Sequence, residues 1–171
     1  MPLLENGHIK ADSWVRAGDA DTLPESAPAI LSLARLRRDW DSLSARNAPL
    51  GVLLPSDTKP EDVAPYLGRL ALVAIEFPKF RDGRGFTIAR TLRERLGYQG
   101  EIRAVGHFIP DQYVFLLRTG FTTAEIPEGA NPAHWAEALT EFKTAYQPAI
   151  TDDQPFSGLH RHMAVAPKTG G

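Results

Sequence analysis

The chain has 171 residues, 43% of them hydrophobic and 23% charged, with a net charge of −2. That length suits one domain with its own core, and the near-neutral balance argues against a nucleic-acid or anionic-membrane binder. Cysteine is absent, which removes disulfides, thiolate nucleophiles and cysteine-based metal or iron–sulfur sites. No apolar run approaches the roughly 20 residues of a membrane span. The first residues, MPLLENGHIKADSW, lack the basic and apolar segments of a secretory signal. A soluble cytoplasmic protein is expected, with no membrane and no nucleic acid among its partners.

Residues 1–28 carry little periodicity. Asn6-Gly7 is a turn signal, and His8-Ile9-Lys10 beside Trp14-Val15-Arg16 suggests a small hairpin. Asp19, Asp21, Pro24 and Pro28 then interrupt the chain. The segment is expected to be an irregular N-terminal flap on a single α/β domain spanning residues 1–171.

From residue 29 onward, strand-length apolar runs alternate with helical patterns. Residues 29–33 form the first run, followed by a helix over 34–47 with Leu36, Trp40 and Leu43 at helical spacing. Residues 50–54 are the next strand, and a short helix is expected over 61–70. Residues 71–77 have no polar alternation before Glu76, the pattern of a strand buried on both faces. Residues 86–96 give the clearest helix, with Ile88, Ala89, Leu92 and Leu96 in one stripe and Gly97 as its stop. A strand over 102–106, a helix from Pro110 to Gly120, a strand over 121–126 and a helix from Pro132 to about Tyr146 complete the series. Residues 148–171 are expected to be an irregular tail. About five strand–helix units predict an α/β fold whose mainly parallel sheet carries flanking helices. An open three-layer sheet is preferred and a partial β/α barrel comes second.

Parallel architectures bind ligands beyond the carboxyl ends of their strands. That rule gathers Ser56 and Asp57, residues 76–84, residues 106–112 and residues 125–128 on one rim. Lys79, Arg81 and Arg84 put three cations at a helix start beside Gly83 and Gly85, a composition suited to phosphate, sulfate or sulfite. The spacing matches neither a Walker loop nor a complete GxGxxG fingerprint. The same residues also make a structural corner, with Asp82 capping the helix and pairing with Arg81 or Arg84. Lys79, Arg81, Asp82, Gly83, Arg84, Gly85 and Gln112 are therefore the candidate anion or cofactor-binding residues.

Glu76, His107 and Asp111 are the candidate catalytic groups, a carboxylate at a strand end and a histidine with an acid one turn on. Two of them also have a structural role open to them, Glu76 as an ion-pair partner and His107 as a satisfied histidine. No elbow nucleophile accompanies them, and His134, His160 and His162 compose no metal-ligand set, so no metal is expected. The terminal Gly170-Gly171 resembles a sulfur carrier's end, but no β-grasp pattern precedes it.

Residues 77–121, FPKFRDGRGFTIARTLRERLGYQGEIRAVGHFIPDQYVFLLRTGF, resemble the signature of the bacterial domain-of-unknown-function family 934. PLLENGHI, Trp14-Val15, ALVAIEFP and FKTAYQPAI extend the likeness over most of the chain. Where relatives often carry Arg-Asp-Gln-Leu-Phe-Phe this chain has Pro110-Asp111-Gln112-Tyr113-Val114-Phe115, and Thr119 stands where they often carry a cysteine. The resemblance implies a role in assimilatory sulfate and sulfite reduction, under a label of probable oxidoreductase, commonly beside a sulfite reductase hemoprotein. An accessory or partner of that reductase, an oxidoreductase-type enzyme taking a phosphate-bearing cofactor or sulfur metabolite, and a regulatory ligand-binding domain all remain open. No particular cofactor is specified.

Overall fold

A computed structural model describes residues 1–141. One eight-stranded sheet runs through them in the order β2-β1-β8-β7-β6-β5-β4-β3. Strands β3 (Val15–Arg16), β4 (Ala29–Ser32), β5 (Leu50–Leu54), β6 (Leu70–Phe77), β7 (Glu101–Gly106) and β8 (Thr123–Glu125) pair in parallel. Strand β1 (Leu3–Glu5) joins β8 antiparallel and carries β2 (His8–Lys10) as a hairpin partner. The sheet is therefore mixed, with a parallel majority.

Each parallel strand lies beside its predecessor. Right-handed crossovers in an unreversed order place the intervening helices on one face, and the core divides accordingly. On the helix face Leu31, Val52, Val73, Ile75, Phe77, Ile102 and Ala104 pack with Leu36, Ile88, Leu92, Leu116 and Trp135. These helical residues come from α1 (Leu33–Arg38), α3 (Arg84–Glu94), α4 (Pro110–Arg118) and α5 (Pro132–Glu141). On the other face Ile30, Leu72, Ala74 and Val105 form a smaller apolar cluster with Trp14 and Leu53. The expectation of a three-layer sheet with helices on both faces is corrected: the architecture is a curled half-barrel with one helical layer.

Two connections require the curl. Residues 11–14 link β2 at one edge to β3 at the other, and five Cα steps span at most about 18 Å. In a flat sheet those edges would stand about 34 Å apart, seven strand spacings. Arg16 of β3 also reaches Glu125 of β8 at 2.7 Å, five strands away. The short N-terminal segment therefore crosses the concave face, with Trp14 seated on its apolar cluster.

Arg103 fastens that segment. Its guanidinium is 1% exposed and meets Asp12 at 2.7 Å, Glu101 at 2.9 Å and Glu125 at 3.3 Å. Thr123 Oγ1 donates to Glu101 at 2.6 Å. Burial disfavours the charged guanidinium, but the hydrogen bond to Asp12 and the field of Glu101 outweigh it and hold the Arg103 pKa above the ordinary arginine value.

Local chemistry accounts for the remaining differences from the sequence expectations. The N-terminal hairpin pairs Leu3–Glu5 with His8–Lys10 across the Asn6-Gly7 turn, where both residues have positive φ. Val15–Arg16 is not its partner but the opposite edge of the sheet. Residues 1–28 thus contribute three strands in place of an irregular flap. The helix expected over 34–47 divides into α1 and α2 (Trp40–Ser44) at Asp39. The helix expected over 61–70 is two 3₁₀ turns, Pro60–Asp62 and Ala64–Arg69; Pro60, Pro65 and Gly68 withhold backbone donors or helix propensity there. Helix α3 begins at Arg84 and carries an Arg90–Glu94 pair at 3.0 Å. The tail over 148–171, His160, His162, Gly170 and Gly171 lie outside the described residues.

Replacing Arg103 by methionine leaves Asp12, Glu101 and Glu125 without their shared cation. Urea unfolding is expected to show a loss of roughly 3–5 kcal/mol, the range for one-sided removal from a buried ion pair. A loss within 0.5 kcal/mol, roughly the size of a surface substitution's effect, would show that the network does not hold the sheet.

Candidate functional site

The carboxyl ends of β5, β6, β7 and β8 share one rim, because these strands run parallel. The residues that follow them separate into three hollows.

The first is a cleft lined by Ser56, Asp57, Lys59, Arg84, Thr87 and Arg95. Its wall is the corner that opens α3. Ser56 Oγ donates to Asp82 Oδ2 at 2.8 Å, while Arg84 Nη2 donates to Asp82 Oδ2 at 2.6 Å and to Ser56 Oγ at 2.9 Å. The Arg84 amide donates to Asp82 Oδ1 at 3.2 Å. Asp82 therefore sits where an external anion would meet the helix start. The bonds from Arg84, then that from Ser56, hold its carboxyl well below the usual carboxylate range. A lowered carboxyl pKa gives stabilisation that is complete above the unfolded value of about 3.9 and is lost as pH falls through the folded value. The corner is thus fully formed at neutral pH.

The two glycines of this corner have different roles. A Cβ on Gly85 would lie 2.6 Å from Phe77 Cζ. Phe77 is fully buried among Phe86, Phe108 and Phe121, with ring centroids 5.1, 6.0 and 5.8 Å away. Gly85 lets α3 close on that aromatic nucleus. Gly83 has φ −80° and open space where a Cβ would stand.

The second hollow, about 460 Å³, is lined by Pro78, Lys79, Phe80, Arg81 and His107. Lys79 and Arg81 enter no ion pair among the described residues; the Arg81 guanidinium lies 5.2 Å from the Phe80 ring centroid. Gln112 Nε2 donates to the Phe80 carbonyl at 2.8 Å, and Gln112 Oε1 accepts from the Ile109 amide at 3.3 Å. Gln112 is thus the tie between the β6–α3 loop and the first turn of α4. Asp111, in that same turn, lines none of the three hollows.

The third hollow lies within the curl, about 360 Å³, with Arg16, Leu53, Glu76, Val105, Gly106, His107 and Glu125 in its wall. Glu76 and His107 therefore share a cavity at the ends of neighbouring strands. Gly106 makes the turn that puts His107 there. Its φ is +96°, a Cβ would lie 2.5 Å from the Phe77 carbonyl oxygen, and the His107 amide donates to that oxygen at 2.7 Å. His107 borders both this cavity and the cationic hollow outside it.

The rim thus brings Lys79, Arg81 and Gln112 to one side, Asp82 and Arg84 to another and Glu76 inward, with His107 between. Arg16 and Arg103 are functional or organising residues that the sequence pattern did not single out. Arg103 had a signal, since Glu101, Arg103 and Val105 alternate with Ile102 and Ala104 and so share a face. Arg16 had none. Among the described residues no cluster of His, Asp or Glu is placed to hold a metal ion, and no helix is long and apolar enough to cross a membrane.

Gly85→Ala is expected to lower stability by about 1–3 kcal/mol through overpacking against Phe77. Gly83→Ala is expected to be neutral or to stabilise by about 0.4–1 kcal/mol. Thermal unfolding of the two variants measures the difference, and equal effects would contradict the packing role of Gly85.

Residues 51–157, more than half of the chain, match the model of a family described as bacterial protein of unknown function (DUF934). No curated protein and no solved structure matches the chain. The matched span includes the DGRG corner, the cationic hollow, Glu76 and His107, and leaves Arg16 and the N-terminal strands outside it. The chain belongs to the bacterial domain-of-unknown-function family 934.

Proposed function

We propose that the protein is an accessory of assimilatory sulfite reduction that docks on the sulfite reductase hemoprotein through its cationic, aromatic rim. The same loop offers an oxyanion or phosphate subsite at Lys79 and Arg81. The pathway comes from the resemblance carried by residues 77–121. The observation that carries the docking role is the grouping of exposed apolar side chains beside cations that enter no ion pair among the described residues.

Phe80, Ile109 and Phe115 are 47%, 42% and 53% exposed. Gln112 and Phe115 stand three apart on one side of α4, and Ile109 caps its start three residues before Gln112. Gln112 holds the Phe80 backbone against that side. Gln112 thus ties the backbones of Phe80 and Ile109 together, with Phe115 three residues further along the helix and Lys79 and Arg81 next to Phe80 in sequence. An aromatic centre fringed by arginine and lysine suits a protein partner. Cations without internal counter-charges favour an acidic surface and speed encounter with it.

This placement moves the anion role along the loop. Arg84 is committed to Asp82 and Ser56, whereas Lys79 and Arg81 keep their charge available. An oxidoreductase-type enzyme, the alternative function, draws support from Glu76 and His107 lining one cavity at the strand ends.

Retention on immobilised sulfite reductase hemoprotein tests the docking role. Wild-type protein is expected to bind at micromolar concentration. Phe80→Ser with Phe115→Ser, or Lys79→Glu with Arg81→Glu, is expected to weaken binding about tenfold or more, as for residues at an interface centre. No complex at micromolar concentration, or variants that bind like wild type, would overturn it.

A further inference from the structure

The cavity inside the curl has a charge pattern of its own. Its size, about 360 Å³, lies in the lower part of the roughly 300–1,000 Å³ range of small-molecule sites. Arg16 and Glu125 pair across it at 2.7 Å, joining β3 to β8. Glu125 is almost fully buried and both of its oxygens are occupied, one by Arg16 and the other by Arg103. Its charge is already matched.

Glu76 differs. It ends the apolar run of β6, is half-buried and makes no hydrogen bond or ion pair with any described residue. A half-buried carboxylate without a described partner leaves its oxygens open to a cationic group. Arg16 bonds Glu125 through Nη2 alone, so its other guanidinium N–H groups are available to an anionic group. Met1, Leu53, Val105, Gly106, His107 and Pro127 complete the wall, and the mouth lies at the carboxyl ends of parallel strands, where such folds place their ligands.

We propose that this cavity binds a small zwitterion, an amino acid in the broad chemical sense, with its ammonium on Glu76 and its carboxylate on Arg16. One free carboxylate and one partly free guanidinium in the same wall select a molecule that carries both charges over one that carries either. The proposal is independent of the rim: neither Arg16 nor Glu76 belongs to the Phe80–Ile109–Phe115 patch, and each can fail without the other.

The experiment is an amide NMR titration of the full chain with glycine, β-alanine and 4-aminobutanoate, which vary the separation of the two charges. Methylammonium and acetate are the single-charge controls. At least one of the three amino acids is expected to shift the Val105 and Gly106 amides saturably, and to bind at least about tenfold more tightly than either control, the effect of one added charged contact. Glu76→Gln is expected to weaken that binding about tenfold while leaving thermal unfolding unchanged, because Glu76 has no partner to lose; Arg16→Gln is expected to weaken it similarly. The proposal is overturned by the absence of saturable shifts up to about 10 mM. It is overturned equally by methylammonium binding as tightly as the amino acids, or by a folded Glu76→Gln variant with wild-type affinity.

Discussion

A single buried guanidinium determines how this sheet closes. Arg103 projects from the concave face of β7 with 1% exposure and gathers Asp12, Glu101 and Glu125 around it. Asp12 belongs to the segment that crosses from one edge of the sheet to the other, and Glu125 carries Arg16 of the far edge strand as its second partner. The network therefore links the crossing segment, the strand beneath it and both sides of the curl. Arg103 and Glu125 are the buried members of this network, Arg16 and Asp12 its more exposed ones, and its value lies in geometry more than in net attraction. Without it the four residues between β2 and β3 would have only Trp14 and its apolar neighbours to hold them down.

Closure sorts the chemistry at the strand ends. The helix face is filled by the aromatic nucleus of Phe77, Phe86, Phe108 and Phe121, and Gly85 admits the start of α3 to within contact of it. That packing fixes the DGRG corner, whose arginine and aspartate satisfy one another through Ser56. The charges left over lie elsewhere, Lys79 and Arg81 on the outer side and Glu76 on the inner side, with His107 bordering both hollows. Cations outward and, inward, a carboxylate with no partner among the described residues give the rim two sides of opposite character. A partner surface and a small-molecule site can therefore coexist on one rim without competing for the same groups.

Much of the parallel core is legible in the sequence. β5 and β6 read as apolar runs because they are covered on both faces along most of their length, and the stripe of Ile88, Ala89 and Leu92 announces α3. The strand-end rule also groups Ser56, Glu76, Arg84, His107 and Glu125 correctly on one rim. Three things escape. Strands of two or three residues, such as Val15–Arg16 and Leu3–Glu5, are too short to show a period. The layer arrangement depends on which strand lies beside which, and apolar runs are silent about that order. The closing contacts join residues 91 and 109 positions apart, Arg103 with Asp12 and Arg16 with Glu125, so no local pattern contains them. Within the rim, spacing alone does not separate the arginine that an aspartate already holds from the one that remains available, since Arg81 and Arg84 differ by three positions.

The central claim is that the rim formed by the β6–α3 loop and the start of α4 meets the partner, while the DGRG cleft and the concave face do not. Hydrogen exchange measured on the protein alone and mixed with sulfite reductase hemoprotein tests it most directly. Added protection over residues 79–81 and 107–115, with residues 56–61 and 11–16 unchanged, is the predicted result. Protection confined to residues 56–61 or 11–16, or none at all at saturating partner, would contradict it.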